Sequence, residues 1–169
     1  MTRLIEFYFD DKNYNEAMNT LYRRAVRAII LQSGKIAMIR SKKYGEYKFP
    51  GGGVLPQEDL KIALVREVEE ETGLGIVFDS ISGYLKAIEK RKDLFSDAIF
   101  HQTSYYYLCE VKEGLGKTNL SGYEIEYGYE LVWVLVEEAY QNNVDLLKYN
   151  DKIGWIQRET EILKYLMQE

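Results

Sequence analysis

The sequence predicts a mixed α/β fold in one domain. Its 169 residues are enough for one sizeable hydrophobic core and few for two, so residues 1–169 are expected to form a single domain. Short segments of alternating apolar and polar residues predict strands, and two segments with apolar residues at helical spacing predict amphipathic helices. The order of these elements alone supports only the broad α/β class.

The first strands are predicted near the N-terminus. Residues 5–9 alternate between apolar and polar side chains, which is typical of a strand. Residues 24–31 and 35–40 are rich in apolar and β-branched side chains and flank Ser33 and Gly34. This pattern predicts two strands joined by a tight turn.

A helix is predicted from Asp59 to Thr72. Leu64 and Val68 lie in an apolar stripe that can pack on a core. Gly73 follows the last helical residue, where a left-handed residue commonly ends a helix.

The acidic edge of this helix predicts a metal site. Glu67, Glu70 and Glu71 stand at i, i+3 and i+4 and share an arc of about 100°. Clustered carboxylates need a counter-charge, and Mg²⁺ or Mn²⁺ prefers oxygen ligands of this kind. Arg66 can orient one of the carboxylates. The alternative is a solvated, charge-rich helix surface, which accounts well for Glu69.

The second half of the chain is predicted to contain further strands and a terminal helix. The expected features are strand-like runs in residues 76–88, a charged turn in 86–93, a strand over 99–111, a polar, turn-rich segment over 114–129, a strand over 131–134, a helical segment over 136–139 and an amphipathic helix over 152–167.

Composition excludes several partners. The net charge of −5 disfavours a phosphate-backbone footprint, so no nucleic acid polymer is expected, although a small polyphosphate remains compatible. No stretch approaches the ~18 apolar residues of a membrane span, and the N-terminus does not resemble a signal peptide. Cys109, the single cysteine, has no partner for an internal disulfide. A cytoplasmic protein without a membrane partner is expected.

Residues 52–74 resemble the box of the Nudix hydrolase superfamily, a glycine followed at fixed intervals by Glu, Arg-Glu-apolar, Glu-Glu and Gly-apolar. The match is complete at Gly52, Glu58, Arg66, Glu67, Val68, Glu70, Glu71, Gly73 and Leu74. Residues 47–52 resemble the aromatic-any-apolar-Pro-Gly-Gly segment that precedes the box. Two residues depart from the common form: Leu55 replaces a frequent Glu, and Gln57 a frequent Gly.

This resemblance implies an α/β/α sandwich with a mixed β-sheet and MutT-like chemistry. The implied enzyme is an Mg²⁺- or Mn²⁺-dependent pyrophosphohydrolase acting on a small nucleoside diphosphate linked to another moiety. Glu67, Glu70 and Glu71 would hold the metal, with Glu58 further from it. The glycine run is expected to form a loop. The resemblance implies that a backbone carbonyl of Gly51 or Gly52 is a further metal ligand, and Gly52 is the predicted one.

The resemblance implies that the catalytic base is a box glutamate or a residue outside the box, and Glu67 is the first candidate and Glu126 the second. The family commonly places another acidic residue ahead of an aromatic strand, and Glu124, Glu126 and Glu130 compete for that role, with Glu126 preferred. The predicted catalytic set is therefore Arg66, Glu67, Glu70, Glu71 and Glu126.

A basic, tyrosine-containing run precedes the box, and its predicted substrate-binding residues are Arg40, Lys42, Tyr47 and Lys48. Such a run is equally typical of a cleft wall and of a solvated loop. His101 is the only histidine. It could act as a general base or contact the substrate, but a lone histidine in a strand is more often structural. The alternative to an enzyme is a non-catalytic nucleotide-binding Nudix domain. The substrate and the oligomeric state, a homodimer included, stay open.

Overall fold

The computed structural model describes residues 4–149 and 154–169. The elements in these ranges are β1 Ile5–Asp10, β2 Asn19–Ile29, β3 Leu31–Gln32, β4 Lys35–Ser41, β5 Tyr47–Lys48, β6 Gly51–Gly53, α1 Leu60–Thr72, a 3₁₀ turn Phe78–Ser80, β7 Ser82–Lys92, β8 Ala98–Leu108, α2 Gly122–Tyr127, β9 Tyr129–Val134, α3 Val136–Leu147 and α4 Ile156–Gln168. None of the helices in these ranges is long and apolar enough to cross a membrane.

The strands form two sheets. The larger sheet has the order β1-β7-β8-β2-β6, in which β1 pairs parallel with β7 and β2 parallel with β8, whereas the other pairs are antiparallel. The smaller sheet contains β3, β4 and β5, with β9 paired to β4. The predicted mixed sheet is confirmed.

Helices cover both faces of the large sheet, and β2 shows why. Val26 and Ala28 share a core cluster with Leu64 of α1. Ile29 belongs to a second cluster that contains Ile162 of α4. Because successive side chains of a strand point to opposite faces, α1 and α4 must lie on opposite sides of the sheet. The predicted α/β/α arrangement is confirmed.

Helix α1 begins and ends as predicted. The Asp59 carboxylate accepts hydrogen bonds from the backbone N–H groups of Lys61 at 2.9 Å and Ile62 at 3.1 Å. These bonds satisfy two of the four donors that every helix leaves free at its N-terminus. At the other end Gly73 is left-handed, with φ of 79°, and its N–H bonds to the carbonyl of Glu69.

This cap gives a first prediction. Asp59→Ala should lower the free energy of unfolding by about 1 kcal/mol because both donors lose their acceptor. Asp59→Asn keeps an acceptor oxygen and should stay within a few tenths of a kcal/mol of the wild type. Chemical denaturation measures both, and an Asp59→Ala variant as stable as the wild type would show that the cap contributes little.

The predicted hairpin exists, but β2 is not one of its strands. The turn is confirmed at Ser33 and Gly34, which both have positive φ, 52° and 77°. The short strand β3 pairs with β4 across this turn, whereas β2 begins at Asn19 and pairs with β8 and β6 in the other sheet. The chain therefore changes sheets at Ile30, and periodicity alone does not mark such a change.

One prediction about the second half is wrong, and two are confirmed in part. No turn occurs within 86–92, because β7 continues to Lys92 between two neighbouring strands, with charged side chains such as Lys86 at the sheet surface. Residues 114–129 are not all irregular, since they include α2. The terminal helix is confirmed as α4 from Ile156, while residues 152 and 153 of the predicted range lie outside the described residues.

Candidate functional site

Arg66 holds the acidic edge of α1 together. Its Nε and Nη2 donate to the two carboxylate oxygens of Glu58, each at 2.8 Å. Nη1 donates to Glu67 at 2.7 Å and to Glu70 at 3.4 Å, and Nη2 also reaches the carbonyl of Gly53 at 3.2 Å. The hydrogen bonds from Arg66 lower the pKa of Glu58 to about 2. One guanidinium therefore fixes three carboxylates relative to the glycine segment.

The glycine segment is a strand rather than the predicted loop. Residues 51–53 form β6 and pair with Ala25, Val26 and Arg27 of β2. A Cβ atom at Gly52 would lie 2.2 Å from Oε2 of Glu67, so the backbone and this carboxylate come into direct contact only because residue 52 is glycine. The prediction failed because glycine's low strand propensity is overridden here by pairing with a buried neighbour.

Gln57, where the family often has glycine, has a φ of 64°. This is the left-handed region that glycine enters without steric cost. The departure at residue 57 therefore leaves the backbone conformation typical of glycine in place.

Glu71 is buried and bound by a lysine. Its Oε2 lies 2.8 Å from Nζ of Lys48, and its Oε1 accepts the N–H of Gly51 at 3.1 Å. Burial raises the pKa of Glu71 to about 7, and the charge of Lys48 opposes this rise. Lys48, predicted to contact substrate as part of a basic run, is a 5% exposed residue of β5 whose ammonium group binds Glu71.

The three box glutamates are adjacent but do not converge as predicted. Glu67 and Glu70 share Arg66, whereas Glu71 pairs with Lys48. In the described part of the chain, no three acidic, histidine or cysteine side chains are grouped closely enough to hold one ion. The glutamates lie apart because Arg66 and Lys48, two separate cations, supply the counter-charge that clustered carboxylates require. The donor chemistry itself, carboxylate oxygens beside the Gly52 backbone, fits a hard divalent cation.

A fourth glutamate approaches this group from α2. The carboxyl group of Glu124 lies within hydrogen-bonding reach of Glu71 and also accepts the N–H of Ser121 at 2.7 Å. Burial acts to raise the pKa of Glu124, but hydrogen bonding to Glu71 and Ser121 holds it below its usual value. The Ser-x-x-Glu spacing of residues 121–124 is a helix-start signal that could have revealed α2 and this placement.

The preferred candidate, Glu126, does not reach the box. Its carboxylate pairs with Lys43 at 3.2 Å, and its side chain is 65% exposed. Glu130 pairs with Lys42 at 3.6 Å on the surface. Strand alternation would place Glu124, Glu126 and Glu130 on one face, whereas α2 turns residues 124 and 126 about 200° apart.

The other residues of the basic run have structural surroundings. Tyr47 is 7% exposed in the core, and Asn143 bonds its backbone N–H. Arg40 is exposed and lies over the Tyr47 ring at 5.2 Å from the centroid. Lys42 is occupied by Glu130, so these side chains do not gather into a substrate wall. His101 packs against the ring of Tyr22, with centroids 5.1 Å apart.

A pocket of about 510 Å³ opens beside Gly52 on the α4 side of the large sheet. We call it the arginine pocket. Its lining comprises Arg23, Arg27, Tyr44, Lys48, Gly52, Arg91, Asp93, Leu94, Phe95, Phe100, Gln102, Tyr123, Tyr127, Tyr129, Trp155 and Arg158. These residues come from strands and helices far apart in the sequence. The sequence contains one local signal of this pocket. Arg23 and Arg27 are an even number of residues apart on β2, so both side chains lie on the same face of the sheet.

A buried polar network forms the wall of the arginine pocket. Arg158 donates to Glu89 and to Glu159, each at 2.7 Å. Gln102 donates to Glu89 at 3.1 Å and accepts a hydrogen bond from Arg23. The network therefore connects the base of α4 to β7, β8 and β2 and fixes the position of Arg23 at the pocket surface.

Comparison with known proteins identifies the relatives of this chain. Residues 21–156 match the family model described as NUDIX domain. Over 138 residues the chain is 27% identical to Nudix hydrolase 2 of Arabidopsis thaliana, which covers 78% of this chain and 47% of that protein. Over 73 residues it is 34% identical to Nucleoside diphosphate-linked moiety X motif 6 of Homo sapiens, covering 43% of this chain and 21% of that protein. The chain thus spans half or less of these relatives.

The fold also matches a solved structure. A NUDIX hydrolase from Nitrosomonas europaea aligns with a TM-score of 0.57 at 17% identity, over 88% of this chain and 92% of that one. At this level of identity the match supports the fold alone.

Proposed function

The chain belongs to the NUDIX domain family, and from this membership we propose that it is a pyrophosphohydrolase acting on a nucleoside diphosphate linked to another moiety. The observation that carries the proposal is the complete box, which Arg66 holds together and whose Gly52 is part of the lining of the arginine pocket. The similarity to the human protein named for nucleoside diphosphate-linked moieties supports this substrate class. We propose that the activity resides in one domain and in a reducing cytoplasm, where Cys109 stays a free thiol.

In the proposed reaction, water oxygen forms a bond to one phosphorus while the bond from that phosphorus to the bridging oxygen breaks. The bridging oxygen leaves with the departing phosphate, and a carboxylate takes the proton of the water. Glu67 is the proposed base because its carboxylate contacts the backbone of Gly52, and Gly52 lines the arginine pocket. Glu124, rather than Glu126, is the proposed acidic residue outside the box, since it approaches Glu71.

Nudix hydrolases generally use divalent metals, and we propose Mg²⁺ or Mn²⁺ here. When bound, such an ion neutralises phosphate oxygens and makes a water more acidic. Glu67, Glu70, Glu71 and the carbonyl of Gly52 would hold it, which requires the three carboxylates to move closer together than they lie beside Arg66 and Lys48. Glu58 orients Arg66, and through it the carboxylates of Glu67 and Glu70.

Metal binding gives a second prediction. Glu70→Gln should lower the affinity for Mn²⁺ or Mg²⁺ about tenfold or more, because an amide oxygen carries no charge. Glu69→Gln, an exposed neighbour on the same helix, is the matched control and should bind as the wild type does. Calorimetric titration measures both. Equal affinities in the two variants would remove Glu70 from the ligand set.

The function itself is tested with a panel of nucleotide sugars, dinucleoside polyphosphates and nucleoside triphosphates. We expect Mg²⁺- or Mn²⁺-dependent release of phosphorylated products from at least one class. If the protein binds nucleotides but cleaves none of them with either ion, it is a nucleotide-binding domain rather than an enzyme.

A further inference from the structure

The arginine pocket carries excess positive charge. Arg23, Arg27 and Arg91 line it, and within residues 4–149 and 154–169 none of them forms an ion pair with a carboxylate. Arg27 is only 6% exposed. Asp93 is the one acidic side chain among the described lining residues. A buried charge without a partner is unfavourable, so the pocket is suited to an anionic ligand.

The unpartnered polar atoms of this pocket are all donors. Four buried nitrogen atoms have no hydrogen-bond partner among the described residues: Nε of Arg27, Nε of Arg91, Nε of Arg158 and Nε1 of Trp155. All four residues line the arginine pocket. Since guanidinium and indole N–H groups only donate, the missing partner must supply acceptor oxygens or nitrogens.

The cations lie at two separate places. Arg27 is paired in register with Gly51, next to the box. Arg91 lies two strands away, on β7. It pairs with Phe100 of β8, Phe100 pairs with Leu21 of β2, and Leu21 stands six residues before Arg27 on that strand. Strand geometry places the two Cα atoms roughly 20 Å apart. The guanidinium of Arg91 is held over Phe100, so it stays near its own strand and lies at the end of the pocket away from Gly51 and the box.

The surroundings of Arg91 are those of a positioned side chain. Its guanidinium lies over the Phe100 ring, 4.5 Å from the centroid, and a Cβ atom at Gly154 would lie 2.9 Å from its Nη1. Trp155 follows directly, with its own unpartnered donor. The planar guanidinium is therefore held between a ring and the backbone before α4, with its Nε buried.

We propose that the Arg91 end of the arginine pocket binds a phosphate group of the substrate that is remote from the diphosphate cleaved at the box. This rests on the proposed function and narrows its substrate class. The preferred substrate is a nucleoside diphosphate derivative with a third phosphate elsewhere, on a ribose or on the linked moiety. Arg23 and Arg27 are left for the phosphates near the box.

Two matched ligand pairs test the proposal: NADP⁺ against NAD⁺, and coenzyme A against 3′-dephospho-coenzyme A. The members of each pair differ by one ribose phosphate. Affinities are measured by calorimetry in EDTA, so that no turnover occurs. In at least one pair the phosphorylated member should bind about tenfold more tightly, as expected for one charge-assisted contact.

Variants locate the effect. Arg91→Met should reduce that preference to within about twofold while leaving the affinity for the unphosphorylated member unchanged. Arg91→Lys keeps the charge and should retain most of the preference, and it serves as the test if the methionine variant does not fold. Arg24→Met is the matched control, because Arg24 is an exposed neighbour of Arg23 on the opposite face of β2 and lies outside the pocket lining. It should retain the full preference.

The proposal is overturned if neither pair shows a preference, or if Arg91→Met weakens both members of a pair equally. Its failure is separable from failure of the proposed function. Hydrolysis of the panel without a preference for a third phosphate would overturn only the role of Arg91. If the protein shows a preference that depends on Arg91 but cleaves no compound of the panel, phosphate binding at Arg91 is supported and the proposed hydrolase activity is overturned.

Discussion

Glu67→Gln is expected to lower kcat by about two to three orders of magnitude and to leave KM nearly unchanged. The amide keeps the shape of the side chain against Gly52 and an acceptor for Arg66, but it loses the negative charge and the ability to take a proton. A charge that acts mainly in the transition state is commonly worth about 3 to 4 kcal/mol, and its loss appears in kcat rather than in KM.

The measurement is steady-state kinetics on the best substrate of the panel, with the free energy of unfolding determined for each variant. Glu69→Gln is the control, as it removes one carboxylate from an exposed position of the same helix. A decrease of less than tenfold in Glu67→Gln would place the base elsewhere, and Glu124→Gln would then be the next variant to measure.

Local sequence patterns predicted α1 and its acidic edge because all their determinants lie within 23 consecutive residues. The apolar stripe, the Asp59 cap and the Gly73 end act over one or two helical turns. The same proximity made the three glutamates appear convergent on a helical wheel. The wheel contains no partner from elsewhere, so it did not include Lys48, which comes from β5 and binds Glu71.

Tertiary pairing produced the features that the sequence did not reveal. Glycine residues 51–53 form a strand only because β2 lies beside them. The arginine pocket required β2, β7, β8 and α4 to meet, and its arginines are separated by up to 135 positions between Arg23 and Arg158. Glu124 was among the candidates, but choosing it required knowledge of α2, whose capping signal lies in a segment rich in turn-forming residues.

The buried ion network behind the arginine pocket should contribute strongly to stability as long as it is complete. Glu89 is 4% exposed and accepts hydrogen bonds from Arg158 and Gln102. Arg158 is 3% exposed, and its second partner, Glu159, is fully buried. Removing the Glu89 charge leaves the nearly buried guanidinium with Glu159 as its single anionic partner. Because Glu159 still balances the charge of Arg158, the cost comes from the weakened hydrogen bonds that Arg158 and Gln102 donate at position 89.

Glu89→Gln should therefore lower the free energy of unfolding by about 1.5 to 3 kcal/mol, measured by chemical denaturation. Glu130→Gln is the matched control, because it removes a carboxylate from another strand, where Glu130 pairs with Lys42 at 3.6 Å and both side chains are about half exposed or more. A surface pair of this kind contributes less than about 1 kcal/mol, since water screens both charges. If both variants lose the same small amount, Arg158 is compensated by Glu159 alone, and Glu89 serves to position Gln102 and, through it, Arg23 at the pocket surface.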